Sequence, residues 1–126
     1  MEDQTKKKIL IVEDDKSLQN ALVEMISQEG FDSESASDGE EALVKVRSYL
    51  PDLVLLDIIL PKKNGYEVLE EIKKDEKLKA IPVLILTNLE EVDNVQKALD
   101  FGATTFMVKS DFSLKDVVEK IRAALK

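Results

Sequence analysis

Four short apolar runs of the chain are followed directly by polar side chains that can take part in chemistry. These side chains are the acids Glu13, Asp14 and Asp57, the hydroxyl of Thr87 and the amine of Lys109. Carboxylates repel one another, and a pair roughly 4 Å apart costs about 4 kcal/mol at an effective dielectric near 20. Mg²⁺ relieves such repulsion and needs only one or two carboxylates besides water and phosphate oxygens. A nucleophilic carboxylate, an acid pair for a metal, a hydroxyl and a fixed cation together suit phosphoryl transfer.

Each of these side chains also has an ordinary structural interpretation. Glu13, Asp14 and the neighbouring Asp15 could cap the following helix and stabilise its dipole, and Asp15 is assigned to this structural role. Taken alone, Thr87 is more typical of a strand or capping residue, and Lys109 of a surface ion pair. The structural interpretation is weaker for Asp57, because no helix begins there and four aliphatic residues lead directly into it. The functional interpretation therefore depends on all of these side chains meeting at one place.

Apolar runs alternate with amphipathic stretches along the whole chain. Buried strands are predicted at 9–12, 53–56 and 83–86, a polar edge strand at 31–36 and a short last strand at 106–108. Helical spacing of apolar residues predicts a helix after each strand. Ser37 and Glu40 are expected to form a capping box before the second helix, and Ser113 to cap the last.

Strict strand–helix alternation predicts the α/β class, with a doubly wound five-stranded parallel sheet. The strand order 2-1-3-4-5, which is the flavodoxin-like (βα)5 arrangement, suits this pattern best because it places the polar second strand at an edge. Ligands of such sheets bind beyond the carboxyl ends of the strands where the winding reverses. In this order the reversal lies between strands one and three, which are the strands that the acids follow.

The composition limits both the chemistry and the surroundings of the protein. We expect residues 1–126 to form a single domain, with 1–6 as a flexible N-terminus. The absence of His and Cys removes the usual general base and the thiol nucleophile. A net charge of -8 disfavours direct binding to nucleic acid or anionic lipid. No apolar run could span a bilayer or direct secretion, so a cytoplasmic location without membrane contact is expected.

Six fragments of the chain match the motifs of one known family. They are Ile-Leu-Ile-Val-Glu-Asp-Asp (9–15), Pro-Asp-Leu-Val-Leu-Leu-Asp (51–57), Leu-Pro-Lys-Lys-Asn-Gly (60–65), Ile-Leu-Thr (85–87), Gly-Ala (102–103) and Val-Lys (108–109). With these fragments in order and at compatible spacings, the chain from Lys7 to Leu125 resembles the receiver domains of bacterial two-component response regulators.

The resemblance implies a phosphoacceptor and a metal site. Asp57 would accept a phosphoryl group from the phosphohistidine of a sensor histidine kinase or a phosphotransfer protein. Mg²⁺ would be held by Glu13, Asp14, Asp57 and the backbone carbonyl of Ile59. The protein would be a signalling domain without enzymatic turnover, since phosphohydrolases of the haloacid dehalogenase kind carry a second acid where this chain has Ile59.

The resemblance also implies a conformational switch. Thr87 and Lys109 would move toward phosphoryl oxygens, and Phe106 would turn inward into the space that Thr87 leaves. The surface formed by the fourth helix, the fifth strand and the fifth helix would then change for a downstream protein target or an output domain. A phosphorylation-dependent dimer is also compatible with the resemblance.

Five positions depart from the family's pattern, and one of them is Phe106, which lacks the hydroxyl that many relatives have there. Ser110 replaces the proline that usually follows the lysine, and Asn88 stands where a small residue is usual. These two residues keep open an alternative, a receiver-like docking module that works without phosphorylation. Ile59 and Leu89 are apolar where fast-dephosphorylating relatives carry polar groups. We therefore predict that phosphoryl-Asp57 lasts longer than seconds.

Overall fold

The alternating pattern folds into a doubly wound α/β sheet in the computed structural model, which describes residues 6–87, 95–108 and 113–125. The strands are β1 Lys8–Val12, β2 Asp32–Ala36, β3 Leu53–Asp57, β4 Val83–Thr87 and β5 Thr105–Val108. The helices are α1 Lys16–Gln28, α2 Gly39–Tyr49, α3 Gly65–Lys74, α4 Val95–Asp100 and α5 Leu114–Ala124. Neighbouring strands are all parallel, in the order β2-β1-β3-β4-β5. The predicted fold class and strand order are therefore confirmed.

The burial of each strand explains its place in the sheet. Every residue of β3 and β4 is buried, and β1 is buried from Ile9 to Val12, because helices cover both faces of these strands. The β2 strand instead alternates between exposed and half-buried residues up to Ala36. A polar strand of this kind loses little by lying at the sheet edge, where one side stays in water.

Two apolar clusters hold the helices against the sheet. On one face, α1 and α5 pack through residues that include Leu22 and Ile121. On the other face, α2, α3 and α4 pack through residues that include Val46, Leu69 and Ala98. The two cores cover the two faces of the sheet, so the carboxyl edge of the sheet is left for polar side chains.

Side chains close the helix N-termini that lie near this edge. The Asp15 carboxylate accepts from Leu18 N at 3.2 Å and caps α1, as predicted. The predicted Ser37–Glu40 capping box is wrong by one residue, because the Asp38 carboxylate caps α2. A residue with an extended backbone and a carboxylate side chain is a strong cap for a helix N-terminus, and its negative charge also interacts favourably with the helix dipole.

Two further expectations concern the helices. Ser113 caps α5 and forms a capping box with Asp116, as the sequence predicts for Ser113. The apolar stripe predicted for the fourth helix includes Val92, which lies outside the described residues, and α4 is described from Val95. In the described parts of the chain, no helix has the length and apolar character needed to cross a membrane.

Candidate functional site

An acidic cluster lies at the carboxyl ends of β1 and β3. These two strands are neighbours, with Val12 opposite Leu56, so the residues that end them meet at one edge. Glu13, Asp14 and Asp57 each offer a carboxylate oxygen, and these oxygens lie within 4.8 Å of one another. Glu13 is 0% and Asp57 2% exposed, whereas Asp14 is exposed to solvent. The cluster is therefore half enclosed and open on one side.

Local hydrogen bonds orient the acid pair of the β1–α1 loop. The main-chain N–H of Asp15 donates to Glu13 Oε2 at 3.0 Å. The main-chain N–H of Glu13 donates to the carbonyl of Ala36 in β2 at 3.0 Å. Because Asp15 also caps α1, it belongs to the support of the cluster and not to the cluster itself.

Asp57 is the last residue of β3, whereas the sequence pattern placed it just after the strand. It pairs with Leu86 in β4, so tertiary pairing extends β3 by one residue. The main-chain N–H of Ile59 donates to Asp57 Oδ1 at 3.3 Å. The side chain of Ile59 is 50% exposed, while that of Ile58 is buried in the core. The chain thus turns sharply beyond Asp57, with one isoleucine facing in and the next facing out.

Gly65 makes this turn possible by its small size. Its N–H donates to the carbonyl of Ile58 at 2.7 Å. A Cβ at this position would overlap the Asp57 carbonyl oxygen and lie 2.6 Å from Ile58 Cα. The start of α3 can therefore pack directly on the backbone that carries Asp57.

Thr87 is the last residue of β4, and β4 lies next to β3, the strand that ends in Asp57. Thr87 is fully buried and lies opposite Val108 of β5. Phe106 lies opposite Ile85, two residues before Thr87, so Phe106 and Thr87 occupy the same face of the sheet. Phe106 is half-buried and packs against the core on the side of α2, α3 and α4.

Some predicted site positions lie outside the described residues. They are Lys109, the predicted phosphoryl-contacting cation, and the departures Asn88, Leu89 and Ser110. Their predicted roles stay predictions. Of the described predicted residues, the structure brings Glu13, Asp14 and Asp57 into one cluster, with Ile59 beside it.

An ion cluster holds the β3–α3 loop, residues 58–64, against α2 and α3. Lys63 Nζ lies 3.0 Å from Glu71 Oε2, and Arg47 lies 3.5 Å from Glu71 Oε1. The hydrogen bond and charge of Glu71 raise the pKa of Lys63. The same contact with Lys63 lowers the pKa of the Glu71 carboxyl, and Arg47 adds to the effect. On the same side of the loop, Lys62 Nζ lies 3.7 Å from Asp38 Oδ2.

The donor set of the acidic cluster fits Mg²⁺. The candidate ligands are all oxygens, two of the three carboxylates are withdrawn from solvent, and one face is open. Mg²⁺ binds through few protein oxygens and keeps several waters, which an open acidic cluster allows. Nitrogen or sulfur ligands, which softer metals prefer, do not contribute to this cluster.

Comparison with known proteins decides the family. The family model described as "Response regulator receiver domain" matches residues 9–122. The chain belongs to this family. It is thus a receiver domain of the two-component response regulators, and receiver domains typically use Mg²⁺ at an acidic pocket.

Similar proteins support this assignment. The chain is 42% identical over 123 residues to "Probable transcriptional regulator ycf27" of Guillardia theta, covering 98% of this chain and 47% of that protein. It is 37% identical over 124 residues to "DNA-binding response regulator MtrA" of Mycolicibacterium smegmatis, covering 98% of this chain and 53% of that protein. The structure of chemotaxis response regulator CheY4 of Vibrio cholerae matches with a TM-score of 0.89 and 27% identity, covering 96% of this chain and all of that one.

The receiver domain spans about half the length of the curated relatives that it matches. One of these relatives is named as DNA-binding. The sequence-based prediction that nucleic acid is not a partner therefore gains no support from them and stays a prediction about residues 1–126.

One buried polar residue next to the site was not among the predicted site residues. Gln19 is 2% exposed and its side-chain amide donates to the carbonyl of Glu13 at 2.8 Å. The signal was present, because Gln19 lies at helical spacing with the buried residues Leu22 and Ile26 of α1. A polar residue on an apolar stripe indicates a buried hydrogen-bonding role, although the partner could not be named from the pattern.

Proposed function

We propose that this receiver domain accepts a phosphoryl group on Asp57 from the phosphohistidine of a sensor histidine kinase or a phosphotransfer protein. The observation that carries the proposal is the convergence of Glu13, Asp14 and Asp57 within 4.8 Å at the carboxyl edge of the sheet. Asp57 has the position that a nucleophile needs, because it ends a strand paired on both sides and its carboxylate oxygen lies within 4.8 Å of that of the exposed Asp14.

The proposed transfer forms one bond and breaks one bond. A carboxylate oxygen of Asp57 attacks the phosphorus of the donor, and the phosphorus–nitrogen bond breaks. The donor, protonated on its other ring nitrogen, leaves as neutral imidazole. The product is an acyl phosphate on Asp57, and no other co-reactant is needed.

The metal ligands would be the carboxylates of Glu13, Asp14 and Asp57 and the backbone carbonyl of Ile59. When bound, Mg²⁺ supplies positive charge that neutralises the phosphoryl oxygens. The chain's own contribution is to hold three acids close together before the phosphoryl donor arrives. The Ile59 N–H, at 3.3 Å from Asp57 Oδ1, helps to fix the orientation of the nucleophile.

The proposed switch runs from Thr87 to Phe106. The Thr87 hydroxyl would donate a hydrogen bond to one phosphoryl oxygen, and Lys109 would pair with another. Thr87 and Phe106 share a face of the sheet, which supports a switch in which movement of the Thr87 side chain would change the space open to the Phe106 ring. The surface of α4, β5 and α5 would then change for a downstream protein target, an output domain or a second copy of the chain.

Labelling with acetyl phosphate tests this function. We expect Mg²⁺-dependent addition of one phosphoryl group, detected as a shift in intact mass, and its loss in Asp57→Ala. Asp15→Asn is the matched control, because it also removes a carboxylate near the cluster while keeping a good helix cap. Labelling that Asp57→Ala does not abolish, or labelling that needs no Mg²⁺, would contradict the proposal. Absence of any labelling would instead favour the docking module that works without phosphorylation.

A further inference from the structure

The β2–α2 turn, residues 36–39, lies against both loops that carry the candidate metal ligands. Glu13 and Asp14 belong to the β1–α1 loop, whereas Ile59 belongs to the β3–α3 loop. No residue of the turn belongs to the acidic cluster found in the described parts of the chain. Its contacts with the two loops therefore call for an explanation of their own.

Gln19 joins the turn to the β1–α1 loop. Its Nε2 donates to the carbonyls of Glu13 at 2.8 Å and Ala36 at 3.2 Å, and to Ser37 Oγ at 3.3 Å. Its Oε1 accepts from Lys16 Nζ at 3.0 Å. The carbonyl of Ala36 also accepts from the N–H of Glu13. The N–H of Glu13 is thus bonded directly to the turn, and its carbonyl is linked to the turn through the Gln19 side chain of α1.

Gly39 joins the turn to the β3–α3 loop. Its N–H donates to the carbonyl of Pro61 at 3.3 Å. A Cβ at Gly39 would overlap the carbonyl oxygen of Lys63 and lie 2.7 Å from its carbonyl carbon. The backbone of α2 therefore touches the backbone of the loop, and only a residue without a Cβ allows this approach. The contact between Lys62 and Asp38 at 3.7 Å lies beside it.

We propose that the β2–α2 turn fixes the separation of the two ligand-bearing loops, and that Gln19 and Gly39 are its positioning residues. This inference rests on the proposed function, because the property that it explains is Mg²⁺ affinity. Neither residue would touch the ion or the phosphoryl group. Gln19 acts through the backbone of Glu13, and Gly39 acts through the backbone of residues 61–63.

Coordination geometry gives the physical reason for such a support. Mg²⁺ requires a nearly ideal octahedron with ligand distances of about 2.0–2.1 Å. Ligands on two separate loops meet this requirement only if the loops keep their separation. Loss of outer contacts that orient metal ligands typically costs about 10-fold to 100-fold in affinity. Because Gln19 and Gly39 act through backbone, we expect effects at the lower end of this range.

A Mg²⁺ titration followed by amide chemical shifts tests the proposal without any phosphoryl donor. We expect Gln19→Met and Gly39→Ala each to raise the Mg²⁺ dissociation constant by about tenfold. Gln19→Met keeps the length of the side chain and removes its donors, so it tests the turn even if Gly39→Ala fails to fold. Gln28→Met is the chemical control, since Gln28 is an exposed residue of the same helix.

Gly30→Ala is the stability control. Gly30 has φ +91, which strains any other residue, yet a Cβ there would meet nothing within 4 Å. We expect it to lower the melting temperature and to leave the Mg²⁺ dissociation constant unchanged. Equal Mg²⁺ binding by wild type, Gln19→Met and Gly39→Ala would overturn the proposed turn function alone. A loss of Mg²⁺ affinity in Gly30→Ala as large as that in Gln19→Met and Gly39→Ala would also overturn it. Such a result would show that the affinity follows general stability. A wild type that does not bind Mg²⁺ would overturn both this inference and the proposed metal site.

Discussion

The main-chain N–H of Ile59 donates to Oδ1 of Asp57 at 3.3 Å, while the Ile59 side chain is 50% exposed beside the same carboxylate. One residue therefore contributes a polar backbone group and an apolar side chain to the surroundings of the candidate nucleophile. The backbone group helps to orient Asp57. The side chain has no group that could orient a water molecule toward a phosphoryl group on Asp57.

The first prediction concerns the lifetime of phosphoryl-Asp57. We expect a half-life longer than seconds in the wild type, because an attacking water gains no hydrogen bond from Ile59. Ile59→Asn should shorten the half-life, and Ile59→Val, the apolar control, should leave it nearly unchanged. The measurement is the decay of the phosphorylated intact mass after removal of acetyl phosphate. Decay that is complete within seconds in the wild type would contradict the prediction.

The second prediction concerns charge repulsion in the acidic cluster. Without Mg²⁺, Asp57→Asn should increase the free energy of unfolding by on the order of 1 kcal/mol, because it removes one of three neighbouring carboxylates. Mg²⁺ should stabilise the wild type more than the variant, since only the wild type keeps the full ligand set. Urea unfolding with and without Mg²⁺ measures both effects. Glu24→Gln, which removes the charge of an exposed acid on α1, controls for loss of charge alone. Equal stabilisation of wild type and Asp57→Asn by Mg²⁺ would count against a metal site at Asp57.

The third prediction separates phosphorylation from the switch. Thr87→Ala should still accept a phosphoryl group from acetyl phosphate but should not change the surroundings of Phe106. Fluorine NMR of protein labelled with fluorophenylalanine measures the response of the ring. Thr87→Ser keeps the hydroxyl and should keep the response. A Phe106 signal that shifts equally in Thr87→Ala and in the wild type would rule out coupling through Thr87.

Some of the site could be predicted because strand order brings sequence-distant residues together. Buried aliphatic runs locate β1 and β3, and the polar edge strand selects an order in which these two strands are neighbours. Glu13, Asp14 and Asp57 then have to meet at one edge. The end of β3 was predicted one residue early, because the pairing of Asp57 with Leu86 depends on the neighbouring strand.

Other features could not be predicted because they depend on contacts between distant segments. Ser37 and Asp38 both have side chains that can cap a helix, and the packing of Gly39 against Lys63 fixes where α2 begins. Gln19 could be predicted as buried from its helical spacing. Its bond to Ala36 crosses to another strand, and no local pattern contains that information.

The fourth prediction concerns a steric limit at the start of α3. Gly65→Ala should lower the free energy of unfolding by about 1–3 kcal/mol, because its Cβ would overlap the carbonyl oxygen of Asp57. The gain in helix propensity from alanine, about 1 kcal/mol in a helix interior, is reduced here because Gly65 is the first residue of α3. Urea unfolding measures the change. A variant as stable as the wild type would show that the backbone beyond Asp57 can move freely.

The last prediction concerns pH and the ion cluster on the β3–α3 loop. The contact with Lys63 lowers the pKa of Glu71 below its ordinary value of 4.5, so the folded state binds that proton less readily than the unfolded state. The stabilisation is present above pH 4.5 and is lost as the pH falls through the folded-state pKa of Glu71. The pKa of Lys63 is raised above 10.5, so its contribution is present below pH 10.5 and is lost as the pH rises through its folded-state value.

Glu71→Gln should therefore lower the urea midpoint at neutral pH and have a smaller effect in acid below the folded-state pKa of Glu71. The effect should be modest and should weaken with added salt, because the side chain of Glu71 is 38% exposed. Glu70→Gln, which removes the more exposed contact with Lys74 on the same helix, is the matched control. A midpoint difference between Glu71→Gln and the wild type that stays constant from neutral pH into acid would show that the loss arises from packing and not from the charge of Glu71.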